Sequence, residues 1–132
     1  MTFKNENHRT RFLEVVENVN KRDRVMVAAL YLLTADSKLW AISRSALEGG
    51  EILWQRIPVT RCNSNTYTLL FIARDLYMDT GLVTLRDIAD PDVVSGKLFP
   101  IVYTALTIAR SGLKLFKDAT AEIESIEGSL VC

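Results

Sequence analysis

Nine consecutive apolar residues, Val25 through Leu33, follow Asp23 and give way to Thr34, Ala35 and Asp36. Asp23 is a good N-cap, and a helix without a polar face must be enclosed by protein. The run therefore predicts the central helix of a small helical domain. Upstream, Phe12, Val15, Val16 and Val19 recur at three- and four-residue spacing. They predict a helix from about His8 to Asn18 with one buried stripe, capped by Asn5 or Asn7. Downstream, Asp36 and Ser37 introduce a third helix from Lys38 to about Leu47, with Leu39, Ile42 and Ala46 inward and Gly49–Gly50 as its stop.

The middle of the chain is less regular. Glu51 to Ile57 is too short to show a period and is closed by Pro58, so it reads as a short helical turn or as an extended strap. Asn63, Ser64 and Asn65 form a capping cluster ahead of a helix from about Thr66 to Met78. Leu69, Leu70, Ile72, Ala73 and Leu76 make its core face, Tyr67 and Phe71 broaden it, and Gly81 is its expected stop. Thr84 caps a brief turn over Leu85 to Ala89, and Asp90–Pro91 looks like another cap with proline at the first helical position. The last helix covers about Leu98 to Ser111 and is closed by Gly112. Leu98, Ile101, Val102, Ala105, Ile108 and Ala109 keep its period, and Pro100 sits in its first turn, where a missing donor costs little. The expectation is all-α: a single compact bundle of about five main helices around a fully apolar central one, with a loop-rich middle. Residues 1–112 would form the domain, and residues 113–132 a weakly patterned tail able to pack back on it.

Composition narrows the function classes. Sixteen basic residues balance sixteen acidic ones among 132, which argues against a general nucleic-acid binder. The distribution is uneven: residues 1–24 hold six Lys or Arg against four acids, and residues 118–127 hold Asp118, Glu122, Glu124 and Glu127 without a base. The N-terminal stretch lacks the apolar core of a signal peptide, and no segment approaches the length of a membrane helix. Cys62 and Cys132, far apart, are expected to be free thiols in a reducing cytoplasm.

Candidate chemistry is sparse. His8 is the only histidine, which removes most metal, hydrolase and proton-shuttle schemes, and it reads as a first-turn helix residue near a cap. Asp75 and Asp79, one helical turn apart, read as solvated helix surface. Asp87, Asp90 and Asp92 fit capping and lack the spaced oxygens and final glutamate of a calcium loop. Gly49–Gly50 is not followed by the Lys-Ser/Thr of a phosphate loop. No cofactor, metal or catalytic residue is assigned.

Aromatics carry more. Trp54 lies in the strap beside Gln55 and Arg56, and Trp40 stands on a helix shoulder next to Leu39. Trp and Arg together are enriched at protein–protein hot spots, whereas the plainer reading is that both indoles cover the core with the N–H near the surface. Tyr67, Arg74 and Tyr77 form a polar-aromatic stripe on the long fourth helix. The candidate partner-binding residues are therefore Trp54, Arg56, Trp40, Arg74 and Tyr77.

Several boxes also resemble a known set of proteins. Phe3 with Asn7 to Phe12, Ala29 to Ala35 followed by Leu39–Trp40, Leu70 with Ala73 to Tyr77, and Leu98–Phe99 with Ala105 and Ile108 to Arg110 carry the likeness, over about residues 3–112. They are similar to a family of small uncharacterised helical proteins, common on phages and mobile elements of low-GC Gram-positive bacteria. The resemblance implies a fold and a genomic context, with no activity or site residues to transfer. The leading expectation is a non-enzymatic accessory protein, cytoplasmic, that acts by binding another protein. Inhibition of a bacterial defence system is one specialisation. The alternative is a small nucleic-acid-binding regulator using Lys4, Arg9, Arg11, Lys21, Arg22 and Arg24, and the third reading is an enzyme without a recognisable motif.

Overall fold

The computed structural model describes residues 2–113, apart from the side chain of Arg61, so all of the expected tail but Leu113 lies outside the described residues. The chain is mostly helical: α1 (Glu6–Val16), α2 (Arg24–Leu33), α3 (Ser37–Ser43), α4 (Ser64–Met78), α5 (Leu85–Ala89) and α6 (Phe99–Ser111). One small antiparallel hairpin, β1 (Leu47–Glu48) and β2 (Glu51–Ile52), joins them.

Helix α2 is the axis of the molecule. Asp23 caps it by accepting from the Met26 backbone N–H, and every residue from Met26 to Leu33 is 0–1% exposed. Val25, in its first turn, is 37% exposed, so enclosure begins one residue later than the apolar run. The helix packs most extensively against α4 and α6, with α1 and α3 on its remaining sides. Those neighbours offer the stripes their spacing implies: Phe12 and Val16 from α1, Leu69, Leu70, Ile72 and Ala73 from α4, and Ile101, Val102, Ala105 and Ile108 from α6.

Three boundaries differ from expectation, each for a local reason. The third helix stops at Ser43 and tightens into a 3-10 turn over Arg44–Ala46 before the chain becomes extended. Gly49 and Gly50, with φ of 60° and 78°, form the two-residue turn of the hairpin and do not end a helix. Two successive positive φ values are what the favoured hairpin turn needs, and glycine adopts them without a Cβ clash. Leu53 N–H then donates to Ala46 O at 2.8 Å and extends the pairing. Helix α4 starts at Ser64, where the Asn63 side chain accepts from Thr66 N–H, and ends at Asp79. Asp79 itself takes the left-handed conformation, φ 54°, so the helix is closed two residues before Gly81.

The region after α4 is held by side chains. The Asp75 carboxylate accepts from the Thr80 hydroxyl and from Val83 N–H, pinning the loop to the helix. Thr84 and Asp87 form a reciprocal capping box on α5. Asp90–Pro91 begins a turn, without a helix: Val93 N–H and Val94 N–H both donate to Asp90 O, and Asp92 N–H donates to the Asp90 side chain. Helix α6 opens at Phe99 with Pro100 in its first turn and closes at Gly112, φ 74°.

Candidate partner-binding surface

Pro58 and the hairpin fix the path of the strap. After β2 the chain makes a 3-10 turn over Trp54–Arg56 and, past Pro58, a second over Val59–Arg61. This is both of the alternatives the sequence allowed, since β2 is extended and the turn is helical. The turn lays Trp54 across the outer side of α4, where its ring meets Tyr77 at 5.5 Å between centroids, 59° between planes. Trp54 is only 9% exposed, and Ile57 beside it is also buried. The tryptophan is thus a lid on the core and does not project as an anchor.

Its indole N–H makes the position unusual. Trp54 Nε1 and Arg74 Nε are both buried, and among the described residues neither has a hydrogen-bond partner. Trp54 and Arg74 line the same shallow depression, with Val59, Leu70 and Phe71 as its apolar wall. The free volume there is about 20 Å³, room for one oxygen-sized group. An unsatisfied buried donor costs about 1–3 kcal/mol, and here two such donors belong to residues that line one depression.

The other candidate residues separate from this group. Arg56 turns to the hairpin, its Nη1 lying 2.6 Å from Glu48 Oε2, an exposed pair that ties strap to β1. Trp40 is half-buried on α3 and packs against the main core, outside the depression. Tyr67 meets Phe71 in a tilted contact at 4.4 Å, so the expected stripe on α4 divides into a Tyr67–Phe71 pair and a Tyr77–Trp54 pair, flanking Arg74. Trp54, Arg74 and Tyr77 are therefore brought together, and Arg56 and Trp40 are not.

A second polar arrangement was not foreseen. His8 does lie in the first turn of α1, its N–H donating to the Asn5 cap at 2.8 Å, but its ring is wholly buried. Nδ1 accepts from Lys4 N–H at 3.0 Å, so Nε2 carries the proton and donates to Tyr31 O at 2.8 Å. Burial lowers its pKa to about 4; the Tyr31 bond opposes this, and the charges of Arg11 and Lys4 add to it. Arg11 Nε donates to Thr34 O at 2.8 Å. Both acceptors are terminal carbonyls of α2, which a buried helix end cannot leave to water. Phe3 and the Tyr31 ring pack against the imidazole, Phe12 packs against both of those rings, and the Tyr31 hydroxyl donates to Thr2 O. The signal available in the sequence was the buried C-terminus of α2, which demands donors, together with His8 and Arg11 one turn apart on the adjacent helix.

Asp75 also differs from the solvated surface expected of it. Burial would raise its pKa, but bonds from Thr80, Val83 and Leu82 and the charge of Arg74 outweigh this and lower it. Among the described residues no cluster of three or more His, Cys, Asp or Glu could hold a metal, and Cys62 is a half-buried free thiol. No described helix is long and apolar enough to cross a membrane. Compared with known proteins, the chain matches no family model, no curated protein and no solved structure.

Proposed function

We propose that this protein is a non-enzymatic accessory protein that binds another protein, through the surface where the Trp54 strap crosses α4. The observation that carries this reading is a pair of buried donors without a partner among the described residues, Trp54 Nε1 and Arg74 Nε, on two residues that line one depression with an apolar wall. A backbone carbonyl or a carboxylate oxygen from a partner would complete both, with the indole and guanidinium supplying the desolvated setting typical of a hot spot. At about 20 Å³ the space suits one protruding group. Ordinary small-molecule sites are many times larger, at roughly 300–1,000 Å³, which favours a partner surface over a substrate pocket.

The nucleic-acid alternative draws on the basic N-terminal region, and four of its residues have intramolecular work, Arg9 by pairing with Glu6 at 3.4 Å. Arg11 caps α2, Arg24 Nη1 donates to Arg110 O at 2.8 Å, and Lys4 faces Asp36 at 3.8 Å. The proposed setting is the cytoplasm, where Cys62 stays reduced. Resemblance to mobile-element proteins makes a host or element-encoded protein the natural class of partner, with a defence component as one specialisation.

The test is quantitative affinity capture with the tagged full chain and with Arg74→Met, which keeps the apolar stem and removes the guanidinium. The expected result is a protein retained in stoichiometric amount by the wild type and reduced at least roughly tenfold by Arg74→Met, with melting temperature unchanged within a few degrees. Equal retention by both chains, or no protein retained by either, contradicts the proposal.

A further inference from the structure

The outward face of helix α6 is exposed at Phe99 and Tyr103, while Leu106 in the same sector is half-buried against the core. Phe99, Tyr103, Leu106 and Arg110 follow at intervals of four, three and four residues, and at about 100° per residue they share one sector of the helix. Phe99 is 46% exposed and Tyr103 64%, whereas Ile101, Ala105 and Ile108 on the far side are buried. The charges on the helix and just before it are basic: Lys97 precedes the helix, Arg110 ends it, and α6 contains no acidic residue. A second copy laid antiparallel on this face would set like charges opposite one another. The occupant must bring an apolar row and acids.

The chain's own C-terminal sequence has both. Phe116, Ala119, Ile123, Ile126 and Leu130 recur at intervals of three, four, three and four residues, and Asp118, Glu122, Glu124 and Glu127 flank that row. Geometry supplies the reach. Gly112 (φ 74°) turns the chain at the Arg110 end of the face, and Leu113 packs against the core there. Residues 116–130 would span about 21 Å as a helix, enough to run back past the roughly 16 Å from Arg110 to Phe99. We propose that residues 116–130 dock along the outer face of α6, antiparallel to it, the apolar row lying on Phe99, Tyr103 and Leu106 and the acids beside Lys97 and Arg110. This surface is separate from the Trp54 strap, and the proposal stands or falls independently of it.

Nuclear Overhauser contacts and amide exchange on the isotope-labelled full chain test this, with a mixed labelled and unlabelled sample to separate contacts within a chain from contacts between copies. A monomer is expected, with contacts from the Tyr103 ring to the methyls of Ile123 or Ile126. Because Tyr103 is exposed, Tyr103→Lys should leave α2 amide protection intact, abolish those contacts and speed exchange of amides 118–127 roughly tenfold or more. The proposal is overturned if the wild type shows no such contacts, if they arise only between copies, or if Tyr103→Lys leaves exchange in 118–127 unchanged.

Discussion

At the scale of single residues, His8 shows how a buried polar group can be structural in every atom. Its ring nitrogens are both bonded only while the imidazole is neutral, with Nδ1 accepting and Nε2 donating. A proton on Nδ1 would face the Lys4 N–H, donor against donor. The sign of the pH dependence follows. The folded-state pKa of about 4 lies below the ordinary 6.5, so the unfolded chain binds the proton first as pH falls. This contribution to stability is complete above about pH 6.5, declines between there and about pH 4, and amounts to at most about 3 kcal/mol. Urea unfolding between about pH 7.5 and about pH 4.5 should show a steeper loss for the wild type than for His8→Gln. Parallel curves would show that His8 does not titrate with folding. Nothing in the pattern of apolar positions marked this residue; a lone histidine beside a cap looks the same whether its ring turns outward or inward.

At the scale of elements, two helix ends are closed by side chains from elsewhere in the chain: α2 by His8 and Arg11, α6 by Arg24. Gly112, just past α6, has φ 74° and ψ 178°, a region open essentially to glycine alone. A Cβ there would also lie 3.3 Å from Arg24 Cγ, the residue that caps the helix. Gly112→Ala should therefore cost about 1–3 kcal/mol. Gly96, without a positive φ or a neighbour within 4 Å, provides the control, and Gly96→Ala should be neutral or stabilising by up to about 1 kcal/mol. Equal melting temperatures for the two variants would refute the assignment. The long helices were legible because α2, α4 and α6 each present several turns of a consistent apolar stripe. The hairpin was not. Its strands have two residues each, too few for alternation to register, and Gly49–Gly50 serves a helix stop and a hairpin turn equally well. Of the candidate site, the clustering of Arg74 and Tyr77 on α4 could be read from spacing. The crossing of Trp54 over them depends on the strap's path, and so does the diversion of Arg56 to Glu48.

At the scale of the whole molecule, the described fold is built around α2. Leu30 is wholly enclosed at its centre, so Leu30→Asp would bury an unpaired carboxylate at a cost of several kcal/mol against a total stability of roughly 5–15 kcal/mol. Circular dichroism should show this variant without a cooperative melt, and a sharp transition at the wild-type temperature would contradict the architecture. The net charge of zero and the intramolecular roles of Arg11 and Arg24 imply no tight binding to random duplex DNA at physiological salt. A dissociation constant below about 1 µM that weakens steeply with added salt would favour the regulator reading instead. Within this frame the ring of Trp54 seals the core, and the proposed function gives its buried N–H a second duty, meeting a partner's acceptor at the depression the residue lines. Trp54→Ala confounds them, since removing the ring should cost about 3–5 kcal/mol whatever the N–H does. Trp54→Phe separates them, because it keeps most of the apolar ring and deletes the donor. The decisive measurement is thus the melting temperature and partner capture of Trp54→Phe side by side with wild type. The account predicts a shift of only a few degrees and at least a roughly tenfold loss of the captured partner; full retention of the partner by this variant would contradict it.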